Sequence, residues 1–191
     1  MIARLLIKPF GTVWNVKRLC ISENRLYAKV SQLLYGLYQY ENNSSIAYNS
    51  IFKSEPFFPH GMKSIFISGA ARIGRNSVIF QQTTIGSNTL IDTKTIGAPI
   101  IGDNVYIGSG ATIVGAIKIG DNVRIGANTV VYEDVPNNSV VVSGTQRIIT
   151  KKEVLDNRFY SYHKEWVYYD NGKYHTVTNK KSLEALTNAN L

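Results

Sequence analysis

The most constraining feature of this sequence is an aliphatic residue that recurs every six positions between residues 67 and 131. A period of six fits neither an α-helix nor an ordinary strand, which repeat every 3.6 and 2 residues. A short fixed period is typical of a solenoid whose units stack on one another, so the sequence predicts a parallel β-helix. The positions expected to point inward are Ile67, Ile73, Ile79, Ile85, Ile91, Ile101, Ile107, Ile113, Ile119, Ile125 and Val131.

The repeat is interrupted in two places. Phe58 and Ile67 lie nine residues apart instead of six, and the extra segment contains His60. Ile91 and Ile101 lie ten residues apart, which predicts a loop over residues 92–99. Insertions in a solenoid form exposed loops that often lie on its binding face.

Three segments follow from these patterns. Residues 1–45 form an N-terminal helical segment, residues 46–149 the β-helix, and residues 150–191 a C-terminal tail that caps the solenoid. A helix is expected from Glu23 to about Tyr40. Its apolar stripe, of the kind that usually faces a core, consists of Leu26, Val30, Leu33, Leu34 and Leu37. The tail contains a hairpin signal, in which residues 170–172 separate two Tyr-rich strands.

Composition narrows the class of protein. The single cysteine excludes an internal disulfide, and no apolar run is long enough to span a membrane, so we expect a cytoplasmic protein. The net charge of +8 is concentrated in the first 29 residues, which argues against a nucleic-acid groove along the solenoid. This basic N-terminal arm could make weak contact with the inner face of an anionic membrane.

One histidine stands out as a candidate for chemistry. His60 is the one of three histidines that falls on the predicted solenoid, and an imidazole can accept a proton from a hydroxyl near neutral pH. A single cysteine and scattered carboxylates form no metal-ligand pattern, so no metal is expected. The sequence also lacks a nucleophile elbow, a P-loop and a dinucleotide-binding fingerprint.

Residues 59–61, 65–74 and 79–86 together resemble the hexapeptide-repeat acyltransferases. Within that superfamily they resemble the serine acetyltransferase branch, and most of all its relatives in polysaccharide and capsule biosynthesis. The resemblance implies a left-handed β-helix, a homotrimer, and acetyl-CoA as the acetyl donor. It also implies that His60 is the general base that deprotonates the acceptor hydroxyl.

The resemblance further implies that coenzyme A lies in a groove between neighbouring solenoids. Ser109 and Ala127 match the small positions where backbone approaches the pantetheine arm. Arg124 and Arg147 are candidates for the CoA phosphates, because a guanidinium suits phosphate. The backbone N–H near Ser87 is a candidate for stabilising the oxyanion.

The acceptor is predicted from departures from the serine enzymes. Ser45 stands where they have an aspartate, and Gly97–Ala98 replaces an Arg-His pair that holds the amino acid. The loop with Asp92 and Lys94 and the aromatic tail instead suit a saccharide, free or lipid-linked, and we expect O-acetylation in surface polysaccharide biosynthesis. The alternatives are serine O-acetyltransferase, a virginiamycin-type xenobiotic acetyltransferase, and a scaffold or binding solenoid without activity.

Overall fold

The computed structural model describes residues 2–144, 159–170 and 173–189. Helices flank the solenoid at both ends of the chain: α1 (Ile2–Ile7), a 3₁₀ turn (Lys8–Phe10), α2 (Val13–Leu19), α3 (Arg25–Glu41) and α4 (Lys180–Asn188). The strands between them are short: β1 (Ser45–Ile46), β2 (Ile51–Phe52), β3 (Phe66–Ile67), β4 (Arg72–Ile73), β5 (Val78–Ile79), β6 (Thr84–Gly86), β7 (Ile100–Ile101), β8 (Tyr106–Ile107), β9 (Thr112–Val114), β10 (Lys118–Ile119), β11 (Arg124–Ile125), β12 (Val130–Val131), β13 (Val140–Val141), β14 (Phe159–Tyr162), β15 (Trp166–Asp170) and β16 (Lys173–Thr176).

The first thirteen strands form a parallel β-helix, as the six-residue period predicted. They pair in parallel on three faces: face A (β1, β3, β6, β9, β12), face B (β2, β4, β7, β10) and face C (β5, β8, β11, β13). Each pair places one repeat aliphatic directly over the next, as in Ile67 over Ile85 and Ile85 over Ile113. Ten of the eleven predicted positions are buried and pack into one core cluster.

Ile91 is the exception, and the prediction for it was wrong. The second interruption begins earlier than expected, because the chain leaves face A after Gly86 and returns to face B at Ile100. Ile91 therefore lies in the loop and packs with Ile96 against the tail cluster of Tyr160, Val177 and Leu186.

Three edges join the faces, and we name each by the faces that it connects. The C–A edge consists of residues 59–65, 80–83, 108–111 and 126–129. The A–B edge consists of residues 47–50, 68–71, 87–99 and 115–117. The B–C edge consists of residues 53–56, 74–77, 102–105, 120–123 and 136–139.

Helix α2 closes the open end of the solenoid. N–H groups of the first coil donate to the second coil, and carbonyls at its A–B corner are turned toward α2. The Lys17 ammonium donates to two of them, Tyr48 O at 2.9 Å and Ser50 O at 2.6 Å. Trp14 stacks on Phe58 with ring centroids 6.1 Å apart, which extends the core into the helix. Lys17 thus supplies donors that a further coil would otherwise supply.

Helix α3 leaves three of its five stripe residues exposed, contrary to the pattern expected of a core-facing stripe. The side chains that it buries include Ser31, Tyr35 and Gln39, and the Gln39 carbonyl oxygen accepts from Ile46 N. Leu26 and Leu33 remain 71% and 74% exposed. Gln39 thus bonds the first coil, and Tyr35 packs with Leu34 against α1 and α2. No helix in the described part of the chain is both long and apolar enough to cross a bilayer.

The C-terminal tail forms a three-stranded antiparallel sheet in the order β14–β15–β16. The predicted hairpin is present as β15 and β16, and β14 is an additional strand that the sequence analysis did not identify. Helix α4 follows the sheet, and its Leu186 is fully buried against the 87–99 loop. The tail therefore covers the A–B edge and holds the long loop in place.

Candidate active site

His60 lies in the first interruption, on the C–A edge, where its side chain is exposed. The loop that carries it is anchored from the segment after α3. The Ser44 hydroxyl donates to Met62 O and accepts from Ile65 N, and Ser64 N donates to Asn42 O at 3.1 Å. Both ends of the loop are thereby fixed to the start of the solenoid, so an exposed imidazole is presented on a rigid support.

A row of rings runs from His60 across the outside of face C. The His60 ring meets the edge of Phe80 at 5.8 Å, and Phe80 packs on Tyr106 at 5.1 Å. The Arg124 guanidinium lies over the Tyr106 ring at 5.9 Å. His60 and Arg124 are thus on one surface, separated by three strand spacings or roughly 15 Å. The two residues share a surface without touching, and their assignment to one site stays a prediction.

Ser109 and Ala127 also lie on the C–A edge, in successive coils. Asn128 N donates to Ser109 O at 2.8 Å, so the two corners stack directly. A Cβ on Gly108 would come within 2.6 Å of Ala127 N, which shows how closely the two backbones approach. Small residues therefore leave main-chain groups open to a ligand on the same edge as His60, two and three coils away from it.

The His60 ring has no hydrogen bond and no ion pair to any residue that the structure describes. Ser45, the residue in the aspartate position, begins β1 and points outward beside Phe66. Its main-chain N–H donates to Ile65 O at 2.9 Å. No carboxylate of a described residue bonds to His60. Its position is set by the contact with Phe80 and by the anchored loop.

Ser87, Asp92 and Lys94 lie on the A–B edge, on the other side of face A from His60. The intervening strands put the two edges roughly 10 Å or more apart along each coil. Asp92 and Lys94 are exposed in a loop that is closed by two backbone hydrogen bonds between Asn88 and Gly97, at 2.8 and 2.9 Å. One chain therefore does not bring these three residues to His60.

Two further predictions concern Arg147 and metal binding. Arg147 lies outside the described residues, so it stays a prediction. Residues 2–144, 159–170 and 173–189 contain no group of three or more His, Cys, Asp or Glu side chains that could hold a metal ion.

Sequence reasoning missed four residues that organise these edges. Ser44 anchors the His60 loop, Phe80 and Tyr106 form the row of rings, and Asn88 closes the long loop with side-chain bonds to Thr93 Oγ1 and to Leu90 N. Phe80 and Tyr106 did carry a signal, because both are aromatic residues at outward-pointing positions of the repeat. The roles of Ser44 and Asn88 depend on the geometry of loops, which have no periodic sequence pattern that could have revealed them.

Comparison with known proteins agrees with this architecture. A family model described as "Bacterial transferase hexapeptide (six repeats)" matches residues 98–133. YvoF of Bacillus subtilis, whose assignment as an acetyltransferase is itself provisional, is 38% identical over 51% of this chain and 57% of its own length. The serine acetyltransferase of Staphylococcus xylosus is 45% identical over 45% of this chain and 38% of its own length.

A crystal structure of Neisseria gonorrhoeae serine acetyltransferase in complex with serine superposes with a TM-score of 0.57. It is 27% identical and covers 69% of this chain and 53% of the other. The chain thus spans about half the length of the relatives that it matches. These names do not support the closer likeness to polysaccharide and capsule enzymes that was expected from the sequence. The repeats, the parallel β-helix and these relatives identify residues 98–133 as hexapeptide-transferase repeats and the fold as the left-handed β-helix of the serine acetyltransferase structures.

Proposed function

We propose that this protein is an acetyl-CoA-dependent O-acetyltransferase in which the C–A edge is the reaction edge. The observation that carries the proposal is the juxtaposition of His60, Ser109 and Ala127 on that edge, with Arg124 at the end of the same row of rings. A general base, a strip of approachable backbone and a cation are the parts that acetyl transfer from a phosphorylated thioester needs.

The reaction follows from the chemistry of the imidazole. His60 takes the proton of the acceptor hydroxyl while the oxygen attacks the thioester carbonyl of acetyl-CoA. A C–O bond forms, the C–S bond breaks, and the imidazolium returns the proton to the CoA sulfur. Arg124 and Arg147 are the candidates to neutralise the CoA phosphates. No metal is needed in this scheme, because the thioester is already an activated acyl donor.

A homotrimer would complete the site. Ser87, Asp92 and Lys94 lie on the A–B edge and do not reach His60 of the same chain, so their proposed roles require the C–A edge of a neighbouring copy. A closed cyclic assembly repeats one such heterologous contact three times. CoA would then lie in the groove between the two solenoids, with the oxyanion stabilised by backbone near Ser87.

The comparisons favour L-serine as the acceptor over the saccharide expected from the sequence, because two of the three relatives reported above are serine acetyltransferases. In this chain Asp92 and Lys94 are the exposed charges of the long loop, and they could pair with the ammonium and carboxylate of a zwitterion. A saccharide remains the second candidate because of the uncharged cleft described in the next subsection.

Release of free CoA thiol from acetyl-CoA tests the proposal. The purified protein is assayed without acceptor, with L-serine, with a panel of glycosides and with virginiamycin, and the acetylated product is identified by mass spectrometry. We expect acceptor-dependent release, fastest with L-serine. Fast release with a glycoside or virginiamycin alone would establish the corresponding alternative. Release no faster than that of a His60→Ala variant with every acceptor would contradict the proposal and leave a non-enzymatic solenoid.

A further inference from the structure

A cleft of about 700 Å³ lies between the A–B edge and the C-terminal sheet. Its floor is the corner of the first coils at residues 47–49 and 68–70, and its wall is formed by β14 and β15. Its size is within the usual range for small-molecule sites. Within one chain the cleft is remote from the row of rings that starts at His60, because face A lies between them.

The polar groups of the cleft are hydroxyls and an amide that retain hydrogen-bonding capacity. Ser68 Oγ and Ser87 Oγ lie 2.5 Å apart on successive coils, and a pair of hydroxyls that shares one proton keeps a second proton for another acceptor. Ser161 Oγ is buried and has no hydrogen-bond partner among the described residues. A buried hydroxyl without a partner is unfavourable, so a ligand that reached this atom would gain a hydrogen bond there.

The apolar part of the cleft is aromatic. The rings of Tyr162 and Trp166 meet edge to face at 5.5 Å, and Tyr162 is 62% exposed. Tyr48 lies opposite them on the floor and is 43% exposed. Flat apolar faces on two sides and hydroxyls between them match a ring with C–H faces and a polar rim.

The charge of the lining excludes several ligand classes. No charged side chain is among the described residues that line the cleft. A phosphate, a carboxylate or a zwitterionic amino acid would lose its hydration there without gaining a counter-charge, which is costly. A neutral ring with several hydroxyls has no charge to desolvate. It can hydrogen-bond to the serines and stack on the aromatic faces.

We infer that this cleft is a binding subsite for a neutral, polyhydroxylated ring, in chemical terms an uncharged saccharide unit. Binding at this site stands by itself, and only its use as an acceptor site rests on the proposed acetyl transfer. Because the long loop with Ile91 and Ile96 packs under the same sheet, a ligand in the cleft would also contact the element that carries Asp92 and Lys94.

The test measures binding without acetyl-CoA, so that its failure is distinct from a failure of the proposed enzyme activity. The protein has two tryptophans, of which Trp166 lines the cleft and Trp14 packs at the first coil near Tyr48, so the fluorescence titration uses a Trp14→Phe variant beside the wild type. Neutral methyl glycosides and short oligosaccharides are titrated by fluorescence and by calorimetry, with L-serine and a sugar phosphate as charged comparisons. We expect saturable binding of at least one neutral glycoside and none of the charged compounds.

Variants locate the binding. Trp166→Ala should weaken glycoside affinity about tenfold or more, which corresponds to 1.4 kcal/mol. Trp166→Tyr should retain most of the affinity, and Tyr132→Ala, which removes a 54% exposed aromatic away from the cleft, should retain all of it. Since Trp166 also packs in the tail, Ser87→Leu provides a second variant that fills the floor from the solenoid side. Absence of binding by every neutral glycoside, or equal binding by Ser87→Leu and the wild type, would overturn the inference.

Discussion

The B–C edge and the C–A edge both contain corner residues in the left-handed backbone conformation. They differ in which side chains occupy those corners. On the B–C edge the left-handed corner residue is asparagine in four successive coils, with φ between 54° and 57°: Asn76, Asn104, Asn122 and Asn138. On the C–A edge the corresponding residues differ, with φ between 53° and 69°: Ser64, Gln82, Gly110 and Asn128. Asparagine tolerates this conformation better than most residues because its amide can bond locally.

The uniform edge is a hydrogen-bonded ladder. Each asparagine amide donates to the next, at 3.1 Å from Asn76 to Asn104, 3.2 Å from Asn104 to Asn122, and 3.1 Å from Asn122 to Asn138. Beside this ladder the Asp103 carboxylate accepts the Arg75 N–H, and this hydrogen bond lowers the pKa of Asp103. Side chains on the B–C edge are therefore occupied with one another.

The irregular edge leaves its surface free. Gly110 has no side chain, and a Cβ there would come within 2.2 Å of Asn128 Oδ1. The insertion with His60 lies at the start of this edge, and the small residues Ser109 and Ala127 follow it. Regular repeats therefore stabilise the B–C edge, whereas departures from the repeat mark the C–A edge, where the chemistry is proposed.

The largest expected effect follows from removing the base on the C–A edge. His60→Ala should lower kcat by about 10²–10⁴-fold while acetyl-CoA affinity and the thermal unfolding temperature stay close to the wild type. Steady-state CoA-release assays measure it, with His175→Ala, an exposed histidine of the tail, as the matched control. Near-normal turnover of His60→Ala would show that the C–A edge does not carry the chemistry.

A bulky side chain on the same edge should block the donor. Ala127→Trp should weaken CoA binding by about 10–100-fold, because the ring would cover the backbone beside Ser109. Lys118→Trp places the same ring at an exposed position of face B, outside both edges that form the proposed groove, and is the control. Isothermal titration with CoA decides the matter, and equal affinities for the two variants would mean that the donor binds elsewhere.

Two alanine substitutions measure how much the asparagine ladder contributes to stability. Asn122→Ala and Asn128→Ala both put alanine at a φ near 55°, so the backbone strain is comparable. Asn122 also loses two side-chain hydrogen bonds of the ladder, whereas Asn128 has no side-chain hydrogen bond to a described residue. Asn122→Ala should therefore lower the free energy of unfolding by about 1–3 kcal/mol more than Asn128→Ala.

Chemical denaturation measures this difference, and CoA-release assays complete the comparison. Asn122→Ala should leave kcat and the acetyl-CoA KM unchanged, because the ladder is on the edge opposite the proposed chemistry. Equal unfolding free energies for the two variants would show that the ladder contributes no more to stability than the irregular edge does.

The smallest expected effect is on the pH dependence of stability and concerns Lys17 of helix α2, which closes the open end of the solenoid and belongs to neither edge. Burial lowers the pKa of Lys17 from 10.5 to about 8. Between these values the unfolded state binds more protons than the folded state, so this group makes stability rise with pH from about 8 to 10.5. Burial raises the pKa of Cys20 to about 11 and gives the opposite slope above pH 9, so the comparison must be made against a variant.

Lys17→Met provides that variant, since it removes the lysine titration and retains Cys20. The stability of the wild type relative to Lys17→Met, measured by denaturation at pH 7.5 and 10, should be higher at pH 10. A relative stability that stays constant or falls with pH would contradict the placement of the ammonium against the carbonyls of the first coil.

The sequence predicted the regular parts of the molecule well. Every repeat aliphatic outside the long loop is buried, because a period of six leaves one side chain per face that can point inward. Ile91 fell outside the rule because the loop begins at Ser87, and an isoleucine can satisfy the same period by chance. The exposure of three stripe residues of α3 was missed for a related reason: hydrophobic periodicity identifies a face but not which partner covers it.

The candidate site was predicted less completely. His60, Ser109 and Ala127 lie on the C–A edge, and Arg124 lies on the adjoining face C. Ser109, Arg124 and Ala127 are fixed by their position in the repeat, and His60 by the insertion that breaks it. Which chain contributes the A–B residues depends on assembly, and periodicity carries no signal for that. The cleft under β14 and β15 depends on how the tail folds back onto the loop, a long-range contact that no local pattern encodes.

The central claim is that the C–A edge is where the acetyl donor binds and reacts. A crystal structure of the protein with CoA tests it most directly. The account predicts that the pantetheine arm lies along the backbone of Ser109 and Ala127 with its sulfur beside the His60 imidazole. CoA bound along the asparagine ladder of the B–C edge, or with its sulfur remote from His60, would contradict the account.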